Sequence, residues 1–318
     1  MKTEINTKHI NESCSMKEQD FLFIKTTDMK RVAMQGVSGA FHEIAARQYF
    51  QGEEIELVPC DTFKEVFEAL EQDKELLGIV AIENTIAGSL LQNHNLLRES
   101  GCLIVGEHKL RIEHNLAVLP GQKIEDIKEV HSHPIALMQC EEFLDKHRHI
   151  KAVECEDTAI SAQRIAENKI AGRGAICSAF AAEKYGLEMI ATGIETNKRN
   201  FTRFLIVAHP EMAAQMIAET KVDKSTLVFT LPHEEGSLSK VLTILSFYKN
   251  NLTKIQSLPI IGKEWEYQFY INLTFDDYTR YRQSLDAIRP LTKDFQNMGE
   301  YKACQTPVTH DSQLIANK

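Results

Sequence analysis

The sequence predicts an α/β protein, with alternating strands and helices over residues 30–208, enough for two α/β lobes, and a ferredoxin-like βαββαβ unit over residues 225–305. Three observations predict it. Short apolar runs alternate with helix-spaced segments, as in open α/β sheets. Residues 77–82 are almost continuously apolar, as suits a strand buried on both faces. The last third runs strand, helix, strand, strand, helix, strand.

Along the chain, a strand at 31–35 meets a turn at Gly36-Val37-Ser38-Gly39 and a helix at 40–49. A strand at 55–58 precedes a helix at 63–72, with Phe63, Val66, Phe67 and Leu70 on one face. Strands at 103–108, 115–119 and up to Ser132 lead to a single helix over 134–146 with Pro134 in its first turn. Helices at 158–167 and 179–185 flank a strand at 174–177, and 204–208 is the last strand of this part. Residues 209–224 read as a linker with some helical character. In the C-terminal unit, strands at 226–231, 252–258, 267–275 and 298–304 combine with helices at 237–249 and 278–288, around a turn at Gly262. Residues 1–29 are polar and aperiodic, a disordered extension in which Met29 offers an alternative start; residues 306–318 read as a polar tail.

A length of 318 residues suits two or three domains, and 43% apolar with 25% charged residues is an ordinary globular balance. The net charge of −9, with no Lys/Arg block, argues against nucleic-acid and anionic-membrane partners. An anionic substrate would therefore need local arginine and backbone N–H groups. Seven scattered cysteines, an odd number without a Cys-x-x-Cys pair, fit free thiols in a reducing compartment. No apolar run reaches membrane-span length, and Phe21-Leu22-Phe23-Ile24 is too short for a signal-peptide core, so a cytoplasmic location is expected. His131, His133, His147 and His149 lack an accompanying carboxylate or cysteine cluster, so no metal is expected.

Five motifs follow one another in order. They are Gln35-Gly36-Val37-Ser38-Gly39-Ala40-Phe41, then Cys60-Asp61-Thr62-Phe63-Lys64-Glu65-Val66-Phe67, then Ile82-Glu83-Asn84-Thr85 with Gly88-Ser89. Ser132-His133-Pro134 with Gln139-Cys140, and Asn200-Phe201-Thr202-Arg203-Phe204, complete the set. Together with the βαββαβ end, the chain resembles prephenate dehydratases that carry a C-terminal ACT domain, across roughly residues 30–304. The resemblance implies a two-lobed catalytic domain like a periplasmic binding protein, with its site in the cleft. It implies decarboxylating dehydration of prephenate to phenylpyruvate, water and carbon dioxide, without a cofactor. It further implies a homodimer or homotetramer that binds L-phenylalanine between ACT domains, as feedback regulation of phenylalanine biosynthesis.

By the same resemblance Thr202 donates a hydrogen bond to the departing hydroxyl, while Arg203 anchors a carboxylate or polarises Thr202. Alone, the pair would read as an ordinary strand entry. Backbone N–H groups at Gly39 and Ala40 could meet an anion at a strand–turn–helix junction, unless the glycines only permit the turn. Asn84, Ser89, Ser132, Gln139 and Thr158 are neutral polar residues at predicted strand ends or helix starts, where ligands bind in open sheets, although each could be a cap. Phe204 completes the expected substrate set. Glu83 is better read as a structural ion pair. For the effector, Gly236, Ser237 and Leu238 occupy the turn before a helix, and Gln256, Ser257 and Leu258 stand where a Glu-Ser-Arg-Pro signature is found, so an acid and an arginine are replaced. Two other readings stay open: an arogenate dehydratase, whose substrate has an ammonium group in place of the ketone, and a non-catalytic amino-acid-sensing protein.

Overall fold

The computed structural model describes residues 29–304 except 219, 261 and 263–265. The expected N-terminal extension, apart from Met29, and the expected tail lie outside the described residues. A first lobe begins with β1 (Lys30–Gln35), α1 (Phe41–Tyr49), β2 (Ile55–Cys60), α2 (Phe63–Gln72), β3 (Leu77–Asn84), β4 (Gly88–Ser89), α3 (Leu91–Ser100) and β5 (Leu103–Arg111). The second lobe contains β6 (Asn115–Val118), β7 (Glu129–Ser132), α4 (Pro134–Gln139), α5 (Glu141–Lys146), β8 (Lys151–Glu154), α6 (Thr158–Asn168), β9 (Arg173–Cys177), α7 (Ala179–Lys184) and β10 (Glu188–Ala191). The chain then returns as β11 (Phe201–Ala208) and continues into α8 (Pro210–Ala218). It ends with β12 (Lys224–Thr230), α9 (Ser237–Phe247), β13 (Asn251–Pro259), β14 (Tyr267–Thr274), α10 (Tyr278–Ile288) and β15 (Lys293–Tyr301).

The first sheet has the order β2-β1-β3-β11-β5, with β4 on β3; the second has the order β10-β6-β9-β7-β8. β11 inserts antiparallel between β3 and β5, so the first lobe closes only after the second has been built. Two connections therefore cross between the lobes, and they are tied together. Ile112 donates its N–H to Asn200 O at 2.8 Å, and Ile194 donates to His114 O at 2.8 Å. The apolar run at β3 has its expected cause, since β3 is flanked by β1 and β11 and is buried along nearly its whole length. In α2, Thr62 caps by accepting from Glu65 N, and Val66, Phe67 and Leu70 face the core. The single helix expected over 134–146 is two helices. Cys140 (φ −105°, ψ 19°) leaves the helical region between α4 and α5, and it is fully buried.

The last sheet, β13-β14-β12-β15, is antiparallel throughout and has the expected ferredoxin-like order. One face is covered by α9 and α10 through Val241, Leu245, Tyr281 and Leu285. The other packs on the first lobe, where Val228, Leu258, Tyr270 and Met298 share a core with Leu97, Ile104 and Leu205. At the closest approach is Gly299, with φ +146°; a Cβ there would lie 2.2 Å from Ile104 O and 2.8 Å from Ile104 N. Backbone cannot yield as a flexible side chain can. Gly299→Ala is expected to cost about 3 kcal/mol or more in unfolding free energy, read by urea denaturation. A stability within about 1 kcal/mol of the parent would contradict this packing.

Candidate active site

A cavity of about 200 Å³ lies between the lobes. β3 and β11 contribute Asn84, Thr202 and Phe204 to it, and the second lobe contributes His133, Gln139, Asp157 and Thr158. Thr202 lies opposite Asn84 in the β3–β11 register, so both side chains share one face of the sheet.

A closed set of amide and hydroxyl contacts orders this face. Asn84 Nδ2 donates to Thr202 Oγ1 at 3.0 Å and to Asn200 Oδ1 at 2.8 Å. Asn84 Oδ1 accepts from the N–H groups of Ile86 and Ala87 and from Gln139 Nε2 at 3.2 Å. Gln139 Oε1 accepts from Asn200 Nδ2 at 2.8 Å and contacts His114 Nε2 at 2.9 Å. Because the Gln139 oxygen can only accept, His114 Nε2 carries the proton. Each amide thus has a fixed orientation, and Thr202 keeps its own O–H to donate elsewhere.

The ionisable groups around the cavity carry little positive charge at neutral pH. Burial brings His42 down to about 4 and also lowers His114 and His133. Burial pushes the Asp157 carboxyl up, although the N–H groups of Ala159 and Ile160 oppose it. Among the described residues, no Lys or Arg lines the cavity.

Of the expected substrate residues, Asn84, Gln139, Thr158, Thr202 and Phe204 meet in this cavity. The others lie elsewhere. Arg203 points to the opposite face of β11, as strand alternation requires. Its Nε donates to Glu107 Oε2 at 2.6 Å and its guanidinium to Tyr301 Oη at 2.9 Å, and Glu83 Oε2 lies 3.8 Å away. Lys224 also binds Glu107, at 2.8 and 2.9 Å. Burial alone would raise the Glu107 carboxyl, but Arg203 and Lys224 outweigh it and hold it below its usual range. Arg203 is thus a bridge to the C-terminal sheet and does not line the cavity. Glu83 pairs with Lys254 at 3.1 Å, the ion-pair role expected of it.

Ser132 is fully buried and donates to Ile176 O at 2.6 Å, joining β7 to β9; His133 caps α4 in its place. Ser89 accepts from Lys254 Nζ at 2.8 Å and so faces the C-terminal sheet. The N–H of Gly39 is taken by Glu43 Oε2 at 2.7 Å and that of Ala40 by Val37 O at 3.1 Å, so neither is open to an anion. Gly39 (φ +100°) serves contact between the lobes. Its carbonyl accepts from Ser178 Oγ, and a Cβ there would press on Ala181 and Tyr185 at 3.3 Å. In the C-terminal unit, Gly236 caps α9 in a left-handed conformation. Ser237 and Leu238 line a hollow of about 140 Å³ with Pro232, His233 and Phe269. Gln256, Ser257 and Leu258 lie outside that hollow: the Gln256 amide turns back to Ser257 O, and Leu258 is buried against the first lobe.

Sequence reasoning missed His42, His114 and Asp157 as cavity groups, and Asn200 as the buried amide that holds Asn84 and Gln139. Asn200 stood in a quoted motif, and Asp157 directly precedes Thr158; His42 and His114 carry no local signal.

Comparison with known proteins agrees with this arrangement. Residues 32–212 match the family described as prephenate dehydratase. The chain is 35% identical over 296 residues to Arogenate dehydratase 1 of Petunia hybrida, covering 87% of this chain and 68% of that protein. It is 34% identical to Arogenate dehydratase/prephenate dehydratase 6, chloroplastic, of Arabidopsis thaliana, covering 87% and 70%. Among solved structures it resembles one described as GqqA, a novel type of quorum quenching acylase (TM-score 0.75, 30% identity, 86% of this chain and 98% of that one). It also shares its fold with prephenate dehydratase in complex with L-Phe from Arthrobacter aurescens (TM-score 0.74, 24% identity, 90% and 96%). The expected cytoplasmic location is corrected here, because relatives this similar include chloroplastic enzymes. The missing signal-peptide core bears on secretion and does not separate cytoplasm from plastid. With more than half its length matched to one family, and relatives above 30% identity along most of it, the chain belongs to the prephenate dehydratase family.

Proposed function

We propose that this chain catalyses the decarboxylating dehydration of prephenate, or of its amino-acid analogue arogenate, in phenylalanine biosynthesis. From prephenate the products are phenylpyruvate, water and carbon dioxide. The observation that carries the reading is Thr202 Oγ1 held at 3.0 Å by Asn84 Nδ2 inside the cavity. The ring carboxylate leaves as carbon dioxide, and its bonding electrons enter the ring as the C–O bond breaks. The leaving oxygen gains negative charge and takes a proton to become water. Thr202 donates to that oxygen, Asn84 stabilises the charge passed to Thr202, and solvent restores the proton. Aromatisation supplies the driving force, so the protein's part is positioning, donation and exclusion of water.

The arogenate reading is supported by the relatives' names. An acylase reading has less support in this cavity. An acyl-transfer nucleophile needs a base to take its proton, whereas the Asn84 group on Thr202 is an amide donor.

We also infer the domain organisation: a catalytic domain over 30–208, a linker over 209–224 and an ACT regulatory domain over 225–305 that binds L-phenylalanine in a homodimer or homotetramer. The βαββαβ order, the hollow at Ser237 and Leu238, and the L-Phe in the Arthrobacter aurescens protein support this.

Thr202→Ala is expected to lower kcat by roughly 10²–10³-fold with a melting temperature close to the parent's, measured by appearance of the aromatic product. Turnover within a few-fold of the parent would remove Thr202 from the chemistry. Millimolar L-phenylalanine is expected to lower the rate and make the substrate curve sigmoidal; an unchanged hyperbolic curve would contradict the regulatory reading.

A further inference from the structure

The geometry points to Asp157 as the residue that makes this site prefer the substrate bearing an ammonium group, arogenate, over its ketone analogue. The inference rests on the dehydratase reading above. Among the described residues, Asp157 is the only carboxylate lining the cavity. One oxygen, Oδ1, is occupied as the cap of α6, accepting from Ala159 N at 2.7 Å and Ile160 N at 3.3 Å. The other, Oδ2, lies 3.4 Å from where a Cβ on Gly36 would stand. Glycine at that position leaves open the space in front of Oδ2.

A half-buried carboxylate gains most from a cation that arrives with its water already shed. The protein supplies none nearby: no Lys or Arg lines the cavity, and burial keeps the adjacent His133 imidazole below its ordinary range despite Asp157. Prephenate and arogenate differ at one side-chain carbon. A ketone oxygen set against Oδ2 is repelled, whereas an ammonium group donates a charge-assisted hydrogen bond to it. Both substrates carry two carboxylates, so the discrimination comes from that one group.

The test measures kcat/KM for arogenate and prephenate with the full chain, Asp157→Asn and Asp157→Ser. Asn and Ser cap helices about as well as Asp, so α6 is kept in both variants. The expected result is a fall of about 10- to 100-fold in the arogenate-to-prephenate ratio, carried by arogenate, with prephenate unchanged or improved. An unmoved ratio, or an equal loss for both substrates, would overturn the role of Asp157. If the parent turns over neither substrate, the dehydratase reading itself fails, and selection by Asp157 is then judged by binding alone. Equilibrium binding to Thr202→Ala separates the two failures. Tighter binding of arogenate than of prephenate, lost on adding Asp157→Asn, supports the selection; equal affinities overturn it.

Discussion

Strand β11 is the constraint on which the rest of the molecule depends. It enters the first sheet last, between β3 and β5, and carries consecutive residues to opposite sides. Thr202 and Phe204 reach the cavity, while Arg203 reaches the C-terminal sheet and is held there by Glu107 and Tyr301. One strand therefore sets the position of the hydroxyl and anchors the C-terminal unit. A shift of this strand by one residue would exchange the two faces and place a guanidinium in the cleft.

The interface behind β11 is charged and buried. Glu107 receives Arg203, Lys224 and the N–H of Cys304. Removing one member of such a group strands the others without compensation, which makes it a specific joint more than a source of net stability. Gly299 allows the backbone of β15 to approach Ile104 beside it. These contacts join the C-terminal sheet to β11 one residue from Thr202.

Much of this was legible in the sequence because the signals were local. The apolar run of β3, the amphipathic α2 and the βαββαβ order follow from periodicity alone. Thr202 came only from the family resemblance of its motif, whereas Asn84, Gln139 and Thr158 were found because neutral polar residues at strand ends and helix starts gather at the mouth of open sheets. The same signal misplaced Ser132 and Ser89. A strand-end hydroxyl can face either side, and these two met Ile176 O and Lys254 instead. Gly39 and Ala40 had the right turn, but Glu43, four residues into the next helix, takes the Gly39 N–H. Arg203 was misread because its neighbours Glu107 and Tyr301 are 96 and 98 residues away in the chain. His114 sits on the crossing between the lobes, and no periodic pattern marks that segment.

In the proposed reaction the chemistry falls to uncharged groups. Asn84, Asn200 and Gln139 fix one another and leave Thr202 as the donor; the nearby imidazoles are neutral at physiological pH because burial disfavours their cations. A threonine hydroxyl does not titrate in the neutral range, so the chemical step should not either. The most direct test is the single-turnover rate of product formation as a function of pH, with substrate saturating. The account predicts a flat profile from about pH 6 to 8.5. A rate falling tenfold per pH unit within that range, through one titrating acid, would contradict it.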